Sequence, residues 1–122
     1  MKEIVGDIWD FAQKKDAVIC ITTNGVVNKV GRLVMGKGIA LQAAYKRPDL
    51  PLILGEHVLR AGNIPLLLED EGLLSFPTKN HWRDDSDLTL IEQSAIIGQR
   101  IAEARPELTF YLPRPGCGHG HL

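Results

Sequence analysis

A lysine held between two glycines is the first chemistry this chain offers. In Val34-Met35-Gly36-Lys37-Gly38-Ile39-Ala40 the glycines bracket Lys37, and an apolar, alanine-rich run through Leu41, Ala43 and Ala44 follows at once. Glycine admits positive φ and lets backbone N–H groups approach a ligand with no Cβ in the way. A helix that opens directly afterwards aims its unpaired N–H groups and the positive end of its dipole at the same spot, which suits phosphate. The alternative is an ordinary tight turn into a buried helix. A second glycine-rich stretch, Pro113 to Gly120, shifts the balance: Pro115, Gly116, Cys117, Gly118, His119 and Gly120 follow another apolar run. Two such loops can hold the two phosphates of a diphosphate.

Other reactive side chains admit rival readings. Lys79 lies in a polar and aromatic loop with Thr78, His81, Trp82 and Arg83. It reads either as a surface lysine or as part of a loop that covers a ligand. The stretch Gly31 to Gly38 nearly spells a P-loop, and Leu66 to Asp70 nearly spells its acidic partner strand. However, Gly38 stands where a P-loop needs the hydroxyl that holds Mg²⁺, and the acidic pair lies in a turn before Gly72. Cys117, His119 and His121 resemble part of a metal site, yet a structural zinc site takes four ligands and Cys20 belongs to a predicted strand. No metal or other cofactor is therefore expected. Cys117, between glycines, reads as a small residue packed under a tight turn.

The bulk numbers set bounds. The chain has 122 residues, enough for one domain with its own core, and its 44% hydrophobic and 24% charged content is ordinary for a globular protein. Fourteen basic against fifteen acidic side chains leave a net charge of −1, so the whole-chain balance carries no strong signal for nucleic acid. No apolar span is long enough for a membrane and no signal peptide is evident, which predicts a cytoplasmic protein. Cys20 and Cys117 do not form a disulfide framework.

The elements that must position these residues alternate. Lys2 to Val5 reads as a short strand, and Asp7 after Gly6 as the N-cap of a helix over Ile8–Lys14. Ala17 to Thr23 has the continuous β-favouring pattern of a strand buried on both faces, stopped by Asn24-Gly25. A loop through Gly31 leads to the first glycine turn and a helix to Lys46. Asp49, Leu50 and Pro51 open a second helix, ended by Gly62. Ile64–Leu68 and Leu73–Phe76 read as two strands about an acidic turn. Asp84, Asp85, Ser86 and Asp87 precede the longest helix, about Asp87–Ala104, with Leu90, Ile91, Ile97, Ile101 and Ala102 on one face. Leu108–Leu112 is the last strand. This order predicts a three-layer α/β/α domain with a mixed, mostly parallel central sheet. In such sheets ligands gather where loops leave the carboxyl ends of the strands.

Taken together, these residues resemble the macrodomain family, the ADP-ribose-binding α/β modules. Gly6-Asp7-Ile8 is similar to the family's opening motif, whose aspartate takes the adenine amino group. Thr22-Thr23-Asn24 resembles the end of its second motif, whose asparagine faces the distal ribose. Val34–Ala40, with Met35, Gly36, Lys37, Gly38 and Ile39, and Pro113–Gly120 resemble its two phosphate loops. The glycine turn and Phe76 to Arg83 look closest to the branch of DNA ADP-ribosyl glycohydrolase antitoxins and terminal ADP-ribose glycohydrolases. A Thr-Lys in that branch maps its catalytic lysine to Lys79. Those glycohydrolases also carry an aspartate in the second phosphate loop, where this chain has Gly120, and Asn24 to Met35 is longer than in the antitoxins. The resemblance implies a single macrodomain over residues 1–122 that stops short of the family's last helix. Its ligand would be ADP-ribose or an ADP-ribosylated macromolecule, and its activity hydrolysis of an ADP-ribosyl linkage. A non-catalytic ADP-ribose-binding module and an ADP-ribose 1″-phosphate phosphatase are the alternatives.

Overall fold

Alternate side chains of the run Ala17–Thr23 enter two different cores. Ile19 and Ile21 join one cluster with Leu33, Met35, Ala40, Ala43, Leu50 and Leu54. Val18 and Cys20 join another with Leu74, Phe76, Phe110 and Leu112. A strand covered on both faces has no polar side to show, which is why its sequence is continuously apolar. The protein is described by a computed structural model that places residues 2–4 and 8–113.

In chain order the elements are β1 (Lys2–Ile4), a 3-10 turn at Ile8–Phe11, β2 (Ala17–Thr23), α1 (Ile39–Lys46), α2 (Leu50–Ala61), β3 (Leu67–Leu68), β4 (Leu73–Pro77), α3 (Leu88–Ala104) and β5 (Thr109–Pro113). The five strands lie in the order β1-β5-β2-β4-β3. All pairings are parallel except the edge pair β3–β4. The first core cluster lies beneath α1, α2 and the 3-10 turn, and the second beneath α3, so helices cover both faces of a mixed sheet. The expected three-layer α/β/α class is the one observed.

Two expected elements are shorter than their apolar runs. Ile8–Lys14 is not an α-helix: Ala12 N–H bonds Trp9 O and Lys14 N–H bonds Phe11 O, the tighter three-residue spacing. The run Ile64–Leu68 pairs only at Leu67 and Leu68. Pro65 has no donor for a ladder, and the Leu66 N–H is taken by the Ser75 hydroxyl at 2.8 Å. Beyond β3, the turn is fastened to the end of α3 by Arg105, whose guanidinium forks onto Glu69 and also bonds Glu107. That partner holds the Glu69 carboxyl below the usual carboxylate range.

α3 lies over the sheet through small residues. Ser94 and Gly98 are buried beside Leu90, and the Ser94 hydroxyl donates to Pro77 O at 2.7 Å. Asp87 caps the helix, its carboxylate accepting from the N–H groups of Thr89 and Leu90.

The segment between β2 and α1 is an ordered hairpin rather than a plain loop. Val27 and Leu33 form an antiparallel bridge, and Val34 N–H bonds Val26 O at 2.8 Å. Asn28 closes the tip, its side-chain oxygen accepting from Val30 N–H and Arg32 N–H. Gly31 sits at φ +83°, the left-handed position of a three-residue hairpin loop. The hairpin rests on α2, where Leu33 N–H donates to Pro51 O at 2.8 Å. A Cβ on Gly55 would stand 2.0 Å from the Gly31 carbonyl oxygen, so only glycine allows this contact. Gly55→Ala should therefore push hairpin and helix apart and lower stability by about 1–3 kcal/mol in denaturant unfolding, with far-UV circular dichroism nearly unchanged. A variant as stable as the parent would show that the hairpin does not pack on α2.

Candidate functional site

The first glycine turn has the conformation its sequence predicts. Gly36 and Gly38 take φ of +58° and +66°, which side chains with a Cβ rarely adopt. Between them Lys37 is exposed. α1 begins at Ile39 with Gly38 as its N-cap, a residue with no side chain to cap it. Among the described residues no side-chain bond to its first N–H groups is seen, and they lie at the positive end of the helix dipole, an arrangement that suits an external acceptor. Met35 lies in the core at 7% exposure and Ile39 packs against it, so these two residues offer the turn their main chain.

The turn is carried to the carboxyl end of β2 by Asn24. This side chain is buried; its Nδ2 donates to Val34 O at 2.7 Å and its Oδ1 accepts from Val26 N–H at 2.9 Å. Both ends of the amide thus clasp the root of the hairpin, whose outgoing strand runs directly into the glycine turn. A Cβ on Gly36 would lie 4.0 Å from Asn24 Nδ2, so the clasp and the turn are neighbours.

Next to Asn24, β4 delivers the second arm. Thr23 pairs in register with Pro77, and the Thr23 carbonyl accepts from Thr78 N–H at 3.0 Å and Lys79 N–H at 3.4 Å. Thr78 is buried, and its own carbonyl accepts from Asp87 N–H at 2.8 Å. Asn80 O receives Gly25 N–H at 3.1 Å, which ties this arm to the hairpin root. From the end of α2, Asn63 Nδ2 donates to Lys79 O at 3.0 Å. Lys79 is partly buried, and its backbone is gripped on both sides. Beyond it the side chains stack: the Trp82 ring lies 5.4 Å from His81 and carries the Arg83 guanidinium at 4.9 Å.

The structure thus brings Thr23, Asn24, the Gly36–Gly38 turn and Lys79 to the carboxyl ends of β2 and β4. Ile8, expected to border a ligand, is buried in the core. Gly6, Asp7, Pro115, Gly116, Cys117, Gly118, His119 and Gly120 lie outside the described residues. Sequence reasoning missed Asn63, whose signal is only an asparagine after a helix-ending glycine. It also missed the hairpin, although Asn28 and Gly31 between paired apolar residues mark one. Burial pushes the Cys20 thiol up to about 12, so it stays protonated and is no nucleophile. Among the described residues no group of His, Cys, Asp or Glu is placed to hold a metal ion, and no helix is long and apolar enough to cross a membrane.

Because the Asn24 amide is spent on main-chain groups, its removal should be felt without any ligand. Asn24→Ala leaves Val34 O and Val26 N–H without their side-chain partner, and urea unfolding of the free protein should show a loss of about 1–3 kcal/mol. Unchanged stability would mean that Asn24 does not hold the hairpin root.

Comparison with known proteins bears on this arrangement. No model of a protein family matches the chain. It is 32% identical over 111 residues to a DNA ADP-ribosyl glycohydrolase of Mycobacterium tuberculosis, which covers 82% of this chain and 31% of the relative. It is 30% identical to a DNA ADP-ribosyl transferase–DNA ADP-ribosyl glycohydrolase fusion protein of Thermosipho africanus, over 79% of this chain and 30% of that protein. The chain spans about a third of the length of these relatives. Among solved structures it superposes on the macrodomain of Mycobacterium tuberculosis DarG with a TM-score of 0.73 and 27% identity, covering 98% of this chain and 79% of that one. The macrodomain of Thermus aquaticus DarG gives 0.69 and 27%, over 96% and 78%. With strand order, helix layers and the glycine turn all in place, the likeness runs nearly the full length of the sequence, and the chain belongs to the macrodomain family.

Proposed function

We propose that this macrodomain binds ADP-ribose and hydrolyses the bond between its distal ribose and a macromolecular acceptor. The observation that supports the reading is the double hydrogen bond to Thr23 O, which holds the backbone of Lys79 at the strand end that continues into Asn24, the residue whose amide clasps the root of the glycine turn before α1. In this reading the glycine turn takes the diphosphate and Lys79 takes the reactive sugar. The names of the relatives point the same way, and a Thermosipho africanus DarTG structure that matches this fold holds ADP-ribose. Asp7 and the loop Pro115–Gly120 would complete the grip on adenine and the second phosphate.

In this reading Lys79 is the catalytic residue. Its amine adds to the anomeric carbon, the acceptor bond breaks, and the acceptor leaves with a proton. The sugar ring opens to an imine with the lysine, and water then cleaves that imine, returning the amine and releasing ADP-ribose. The net reaction consumes one water per linkage. Gly120, in place of an aspartate, leaves acid–base work to other groups and favours the second reading, a module that binds ADP-ribose without turnover.

Calorimetry should show ADP-ribose binding without Mg²⁺ and more tightly than ATP. Asp7→Ala should cost about 1.5–3 kcal/mol of that affinity by removing a charge-assisted hydrogen bond. Release of ADP-ribose from modified DNA and from modified protein should be abolished in Lys79→Ala while ADP-ribose still binds. A fully active Lys79→Ala would end the lysine mechanism. Wild type that binds but releases nothing from either substrate would leave the binding module.

A further inference from the structure

A lysine can attack a bound sugar only if its side chain leaves the backbone in a fixed direction, and two dihedral angles set that direction. The peptide before Lys79 is held through its N–H, which donates to Thr23 O at 3.4 Å. The peptide after it is held through the Lys79 carbonyl, which accepts from Asn63 Nδ2 at 3.0 Å. With one peptide plane tied to β2 and the next tied to the end of α2, φ and ψ of Lys79 are fixed, and with them its Cα–Cβ bond. The first tie runs between main-chain groups that any residue possesses. The second needs a side-chain donor at one position, and Asn63 supplies it.

The surrounding chain is shaped to deliver that donor. Asn63 follows Gly62, which leaves α2 at φ +97° with open space where a Cβ would stand, so conformation and not crowding calls for glycine there. Past Asn63, Ile64 N–H returns to Gly62 O at 2.9 Å, and His57 Nε2 lies 2.9 Å from Ile64 O. On its other side, a Cβ on Gly25 would stand 2.9 Å from Asn63 Nδ2, so the bare backbone of Gly25 leaves room for the amide. Nδ2 also reaches Asn80 Oδ1 at 3.4 Å, and Asn80 Nδ2 in turn reaches Asp87 Oδ2 at 3.5 Å. Both amide protons are thus turned to Lys79 and its successor. The opposite end of the amide gains nothing: among the described residues Asn63 Oδ1 is buried with no hydrogen-bond partner. A buried acceptor left unanswered lowers stability, so stability alone does not account for an asparagine at this position. Its donors do.

We propose that Asn63 is the positioning residue for Lys79, fixing the lysine backbone so that the amine meets the anomeric carbon in one orientation. This rests on the proposed hydrolase activity, since it names the group that prepares the nucleophile of that reaction. Asn63 acts through the Lys79 carbonyl and not on the sugar, so it governs turnover and leaves affinity for ADP-ribose alone.

The test compares wild type with Asn63→Ala and with Asn63→Leu, which keeps the branched shape of the amide and removes its polar atoms. On whichever of modified DNA and modified protein the wild type cleaves, both variants should lose about ten-fold or more in kcat. KM, affinity for free ADP-ribose by calorimetry and the pH dependence of kcat should stay at parental values, because no charge has changed. In the ligand-free protein, amide hydrogen exchange should be about ten-fold faster at Lys79 and Gly25 and unchanged at Ile21 within β2. Asn63→Leu should melt near the parental temperature. Full kcat in Asn63→Leu overturns the proposal. So does a loss of kcat matched by an equal loss of ADP-ribose affinity, which would make Asn63 part of the binding site. Faster exchange that extends to Ile21, with a lower melting temperature in both variants, would make the residue structural only and overturns it as well. Wild type that releases no ADP-ribose defeats the hydrolase reading instead, and exchange at Lys79 then still decides whether Asn63 fixes that backbone. An unaltered rate there overturns the proposal by itself.

Discussion

Both arms of the site depend on one carbonyl. Thr23 is the last residue of the doubly buried strand, and its oxygen takes the first two N–H groups that leave the neighbouring parallel strand. The register Thr23↔Pro77 makes this geometry unavoidable: two parallel strands that end level must release their chains side by side. The arm beyond Pro77 is over-determined. Thr78 is held from α3 by Asp87 N–H, Lys79 from α2 by Asn63, and Asn80 from the hairpin root by Gly25 N–H. A lysine on a loop gripped from three directions needs no further ordering of its backbone, which is what the proposed attack on a bound sugar would require.

The two helices that flank this point use the same end effect in opposite ways. α3 begins with a carboxylate, and Asp87 satisfies its orphan donors from within the chain. α1 begins with a glycine at positive φ, which has no side chain to answer its donors. A capped start closes a helix structurally, whereas an uncapped start beside a crevice keeps its field for a ligand. The acidic run before α3 and the acid-free run before α1 are the sequence counterparts of that division.

The legibility of the fold in the sequence depends on where each piece of information lies. β2 is readable to the residue because burial on both faces leaves one uninterrupted apolar run, and α3 because Asp87 and Pro106 bound it. The glycine turn is readable because positive φ demands glycine. β3 is over-read: Ile64 and Pro65 continue its apolar pattern, but the ladder needs donors, and Pro65 has none. Asn24 is located at the right strand end, yet its bonds go to the main chain of Val26 and Val34, groups that every residue possesses and no pattern marks. Gly55 is the clearest case. Nothing in the pattern of its helix singles it out, and only the fold shows the carbonyl that occupies the place of a side chain.

That contact separates what the hairpin is from what it displays. Its root is held by side chains, the Asn24 amide and the buried Leu33, whereas its tip is set by backbone: the Asn28–Arg32 bond and Gly31 against Gly55. None of the side chains of Lys29, Val30 or Arg32 takes part. The tip is therefore an interchangeable cassette, in which three positions can be rewritten freely while the glycine beneath them cannot. In a lineage of such domains, partner preference would drift quickly at the tip over an invariant socket, and an engineer could graft a different tip by preserving Asn28, Gly31 and Gly55 together with the root anchors Asn24 and Leu33.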